Sequence, residues 1–155
     1  MLRRRSPPFS LPSFFQSLNP VSFVKIISIV YWATTALLGL AMLFSAYAYL
    51  TQPAMKQAFE HLGYPAHFRL ELAVAKVLGV GLLLAPVGPR LKEWAYAGFA
   101  FTFVAAFLGH TAVGDPVGER MGPLVALALL AASYVSYHWR RARLAQVAAP
   151  VAQYS

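Results

Sequence analysis

From Ile26 to Leu50 the sequence runs for 25 residues without an acidic or basic side chain. A helix needs about 20 apolar residues to cross a hydrocarbon core of roughly 30 Å, and inside that core every backbone N–H and C=O must find its partner within the chain. The run therefore predicts a membrane-spanning helix, long enough to cross with some tilt. Ala46 and Ala48 form an Ala-x-Ala pattern near its end. The apolar run far exceeds the roughly 7 to 15 residues of a signal-peptide core, so it reads as a retained span and not as a cleaved leader.

Three more apolar stretches follow. The second, about 68–84, is interrupted by Arg69, Glu71 and Lys76; the third and fourth, about 94–109 and 121–139, carry no acidic or basic residue. Ala75 and Gly79, with Gly81, and Ala128 and Ala132 offer small-residue faces on which neighbouring helices can close. Between the first two stretches, Met55, Ala58, Phe59 and Leu62 recur at helical spacing while Lys56 and Glu60 pair four apart on another face. Pro53 suits the first turn of such a helix and Gly63 the residue after its end. The expected fold is all-α: a four-transmembrane-helix bundle with a short amphipathic interfacial helix between spans 1 and 2. A compact charged turn, Arg90 to Glu93, is expected before span 3. Residues 1–22, with Arg3, Arg4, Arg5 and several prolines, read as a flexible basic arm, residues 23–139 as the membrane domain, and residues 140–155 as a basic, then frayed, tail.

Composition agrees: 59% of the 155 residues are hydrophobic and only 12% charged, about half the share of a soluble domain. Cysteine is absent, which excludes disulfides, thiolate metal sites, iron–sulfur clusters and membrane thiol oxidoreduction. The net charge of +8 invites a nucleic-acid reading, but its placement argues otherwise. Of 13 basic residues, nine fall on the side of the two termini and three on the other, with Lys76 inside the membrane. That asymmetry predicts a bacterial-type inner-membrane protein with both termini cytoplasmic, whose partner is the lipid bilayer and not nucleic acid.

An ionisable side chain within a bilayer is costly and marks a structural or functional site. Glu71 and Lys76 lie about 7.5 Å apart along one helix and about 140° apart around it, so each needs its own partner. Glu71 and His110 fall at similar depth, where a carboxylate–imidazole pair is feasible. Glu71, Lys76 and His110 are therefore the candidates for a polar pocket or ligand site, or for a structural latch between helices, with His67, Arg69 and Asp115 crowding the outer rim. Lys76 has an acid, a quinone-like carbonyl, a tyrosine or a backbone carbonyl as conceivable partners. The four histidines show neither His-x-x-x-His nor His-Glu-x-x-His spacing, so no metal site is expected, and no catalytic constellation of soluble enzymes is present.

The run Leu62-Gly63-Tyr64-Pro65, the charged second span with Glu71 and Lys76, the turn from Pro86 to Trp94 continuing as Ala95-Tyr96-Ala97-Gly98-Phe99, and His110 before the Asp115 loop together resemble the DoxX-like family. The resemblance covers about Ile26 to Trp139. It implies a four-helix integral membrane protein, in a family named after a small subunit associated with a terminal quinol oxidase and thiosulfate:quinone oxidoreduction. It transfers no catalytic residue set, and a cysteine-bearing redox subset does not fit this chain. The leading expectation is an accessory subunit, without activity of its own, of quinone-linked redox chemistry, with a quinone as the candidate ligand and no cofactor fixed by the residues. The alternatives are a small proton-coupled transporter, or a structural partner of a larger membrane complex or homo-oligomer. Reporter fusions are expected to place both termini in the cytoplasm; an extracytoplasmic C-terminus would overturn the span count.

Overall fold

The computed structural model describes residues 20–148, with side chains from 22 to 146. The expected arm up to residue 19 and the tail from 149 onward lie outside the described residues. Within them the chain is all-helical: α1 (Pro20–Thr51), α2 (Pro53–His61), α3 (Ala66–Leu84), α4 (Pro89–Ala112) and α5 (Val117–Ala148). The four long helices pack as a ring in which α1 touches α3 and α5, and α4 touches the same two from the far side, while α2 lies across α3 and α1.

Three helices, α1, α4 and α5, are long and apolar enough to cross a membrane. Their outer surfaces are as apolar as their core: Phe101 is 81% exposed and Trp94 78%, an arrangement water would oppose and lipid favours. The fourth, α3, has 19 residues, about 28 Å of helix, but carries Arg69, Glu71 and Lys76. It turns Ala73, Lys76, Val80 and Leu83 inward as a single stripe.

The helices run further than hydropathy suggested, because their ends are polar and an apolar run marks only their middles. Pro20 to Ser22 belong to α1, and the basic cluster Arg140, Arg141 and Arg143 continues α5. The expected charged turn at Arg90 to Glu93 is the start of α4, with Pro89 in the first turn, where its missing N–H costs nothing. This correction moves Lys92 from a loop onto the inward stripe of α4, with Tyr96, Phe99 and Phe103.

At the end where α1 begins and α5 finishes, the core is a polar network. Thr35 and Ser133 hydroxyls stand 2.6 Å apart, and Tyr96 joins the same Ser133 at 2.9 Å. Lys92 donates to the Leu83 carbonyl at 2.6 Å, and Arg140 reaches Ser28 at 3.1 Å. With little water to serve them, these groups satisfy one another across α1, α3, α4 and α5.

Small residues work differently from the expected pattern. Ala128 and Ala132 face outward, Ala75 is exposed along a cavity between α3 and α4, and Gly81 borders open space. Gly79 alone of that set is a tight contact, since a Cβ there would lie 2.7 Å from the Phe99 ring of α4. Gly79→Val is expected to lower stability by about 1–3 kcal/mol through overpacking, read as a lower melting temperature in detergent, whereas Gly81→Ala leaves it unchanged or raises it.

Candidate functional site

Two glycines build the end of the bundle on which α2 lies, the end expected from the charge asymmetry to be the outer one. Gly63 (φ 76°) and Gly114 (φ 77°) take the left-handed conformation that ends a helix in a Schellman turn. After α2, Tyr64 N–H bonds back to the Phe59 carbonyl; after α4, Asp115 N–H bonds back to the His110 carbonyl at 3.0 Å. This turn sets the side chain two residues past the cap over the last turn of the helix. In the first case it stacks Tyr64 near Phe59, ring centroids 6.0 Å apart. In the second it brings a carboxylate to an imidazole, with His110 Nδ1 2.6 Å from Asp115 Oδ2.

Asp115 is 7% exposed and holds a second imidazole on its other oxygen, His61 Nε2 at 2.9 Å from Oδ1. Arg120 on α5 donates through Nε to the Asp115 carbonyl at 2.6 Å. One residue thus ties α2, α4 and α5 together. The His110 hydrogen bond, and then that of His61, holds the Asp115 carboxyl below the usual carboxylate range.

Glu71 does not share this site. It sits about 180° around α3 from inward-facing Val80, is exposed, and makes no ion pair or hydrogen bond among the described residues. The carboxylate opposite His110 is Asp115. His67 is exposed, and Arg69 is half-buried with its Nε unpartnered.

Lys76 is brought in. It is 5% exposed, donates to Ser45 Oγ at 2.7 Å, and lies 3.7 Å from the centre of the Tyr49 ring. A hydroxyl and a π-face hold it, with no carboxylate nearby; a desolvated cation–π contact is worth about 2 kcal/mol. Lys76 also lines a cavity of about 350 Å³ between α3 and α4, whose walls include Gly79, Leu82, Gly98, Phe99 and Thr102. Leu72 and Thr102 are shared with a second cavity of about 260 Å³, which runs outward under α2 past Tyr49, Phe59 and Tyr64 to His110. The pair forms a seam with apolar walls, one cation partway along and an imidazole at its outer end. Such a space accepts an elongated, lipophilic molecule with a hydrogen-bond-accepting head.

Sequence reasoning missed the inner cluster. Lys92 is 7% exposed, with Tyr31 and Leu83 as hydrogen-bond partners and the Tyr137 ring 5.7 Å away. Glu93 meets His138 at 2.9 Å and lines a further hollow of about 310 Å³ between α4 and α5. The signal was present: Pro89 as a helix start puts Lys92, Tyr96, Phe99 and Phe103 on one helical face.

Asp115→Asn is expected to lower the melting temperature at neutral pH well beyond Lys56→Gln, which breaks only an exposed pair at 3.9 Å. The gap between wild type and Asp115→Asn closes as pH falls through the depressed carboxyl pKa, because the stabilisation exists only while Asp115 is ionised.

A family model described as the DoxX-like family matches residues 33–133, a span that contains the seam, Lys76 and the Asp115 latch. No curated protein and no solved structure matches the chain.

Proposed function

The chain belongs to the DoxX-like family, and from that premise we propose a multi-pass inner-membrane protein that serves as a non-catalytic accessory subunit of quinone-linked redox chemistry. In this reading α3 is a fourth span. Its place in the ring between α1 and α4 and its length of about 28 Å support that, as does the position of Arg69 and Glu71 within two turns of its outer end, where long side chains reach the interface. The end rich in Lys25, Arg90, Arg140, Arg141 and Arg143 then faces the cytoplasm.

The observation that carries the proposal is Lys76. A lysine buried at mid-span without a carboxylate partner keeps donor capacity for an electron-rich oxygen, and it lies on the wall of the α3–α4 cavity. A quinone supplies such oxygens on a flat ring, and its isoprenoid tail suits walls of Leu, Ala and Phe. The cavity, about 350 Å³, is of the size that holds small-molecule ligands. The protein's part is to bind and orient the ring; electrons travel through a partner subunit.

Lipid extraction and mass spectrometry of the protein purified in mild detergent test this. Wild type is expected to retain a quinone, Lys76→Met to retain about tenfold less, in line with the loss of one charge-assisted hydrogen bond, and Glu71→Gln to match wild type, because Glu71 lies outside the cavity walls. Absence of quinone from wild type, or equal retention by Lys76→Met, overturns the proposal.

A further inference from the structure

His110 Nδ1 and one oxygen each of Asp115 and Glu119 lie within 4.8 Å of one another at the outer rim. We propose that these three side chains form a binding site for a divalent transition metal, zinc above all, that fastens the α2 lid over the outer cavity.

The chemistry of the donor set favours that class of ion. One imidazole and two carboxylates suit zinc and its neighbours, whereas magnesium prefers an all-oxygen octahedral shell that keeps several waters. The two carboxylates match the charge of a divalent cation. Three protein donors with a water completing the shell make an open tetrahedral site, and donor atoms this close need only small side-chain shifts to reach bonding distances near 2.0–2.2 Å.

The surroundings hold the donors together: His110 Nδ1 and Asp115 Oδ2 share a proton at 2.6 Å, and zinc would take that proton's place, releasing it to solvent. Asp115 is buried and Schellman-anchored, so its position is set by backbone. Arg120 directs its Nε at the Asp115 carbonyl and not at the carboxylate. Glu119, exposed in the first turn of α5, takes no part in the His61–Asp115–His110 latch, and its carboxylate makes no ion pair or hydrogen bond among the described residues. His61, on the second oxygen of Asp115, is a positioning residue: it orients the carboxylate and carries α2 with it. At the opposite end Glu93 and His138 form a pair with no third donor, so the feature is particular to this rim.

A consequence for the cavity follows, because His110 is one of its walls and Phe59 and Leu62, which end α2, are others. A metal held by α4 and α5, with His61 tethered to its ligand, fixes the lid in place. This reading does not depend on the identity of the cavity's ligand.

The test is zinc titration of the full chain, tag removed and chelator-washed, in detergent, by isothermal calorimetry with magnesium as comparator and cobalt absorption as a report of geometry. Expected are one zinc per chain, no saturable magnesium binding, and loss of zinc binding in His110→Ala. Glu119→Gln is the decisive variant, since the latch does not use it: its metal-free melting temperature should stay close to wild type, losing only an exposed charge in the first turn of α5, while zinc affinity falls by at least the roughly 10- to 100-fold that loss of an outer-shell partner costs. No saturable zinc binding by wild type, or unchanged affinity in Glu119→Gln and His110→Ala, overturns the proposal.

Discussion

The ammonium of Lys92 lies 2.6 Å from the carbonyl oxygen of Leu83, and much of the inner half of the bundle is arranged around that contact. Leu83 belongs to the last turn of α3, whose carbonyls have no helical N–H to accept from once Pro86 has ended the helix. A cation at a helix C-terminus is also favoured by the helix dipole. Tyr31 approaches the same carbonyl at 3.4 Å from α1, so one unsatisfied backbone group draws α1, α3 and α4 together. Lys76 repeats the principle further out with a serine and a tyrosine ring. Neither lysine has a carboxylate, and both are held by groups that carry no net charge.

At the outer end a backbone motif performs the corresponding task. The Schellman turns after α2 and α4 are alike in hydrogen bonding and in glycine conformation, and they differ in the two side chains they bring together. Phe59 with Tyr64 makes an aromatic clasp, and His110 with Asp115 makes a hydrogen-bonded imidazole–carboxylate clasp. The fold supplies the same geometry to both, and the residue identities at two positions decide whether the corner is closed by an aromatic contact or by a carboxylate–imidazole hydrogen bond.

How far the fold was legible follows from the same physics. The apolar runs are visible because lipid selects them residue by residue, and Pro53 and Gly63 bracket α2 because each has a conformational reason to be there. Lys76 stood out as a charge among apolar neighbours, with tyrosine among its conceivable partners. Lys92 did not, since a lysine beside Arg90 and Glu93 looks like solvent-facing charge until Pro89 is recognised as a helix start. The carboxylate for His110 was sought at equal depth on another span, in Glu71. Depth is a coarse coordinate that says nothing about rotation, and Glu71 points away from the bundle. The true partner lay five residues downstream, across a glycine whose positive φ folds the chain back. Ala128 and Ala132 show the converse error: small residues at packing spacing do not say which face packs, and α5 packs through Leu130, Ser133 and Tyr137.

The cavity along α3 and α4 has a cause in the same residues. Ala75 and Gly79 on α3 and Ala95 and Gly98 on α4 are all walls of it. Small residues on facing helices normally let backbones close together, because in lipid close packing is the main attraction between them. Here the tip of the Phe99 ring is seated on Gly79, so α3 and α4 meet at that level through a side chain and not through two backbones. Ala75, with a single methyl, and Gly98, with no side chain, leave that separation unfilled. The seam is therefore built by one large residue among small ones, and Lys76 lies in the same stretch of α3, where an apolar space meets a single charge.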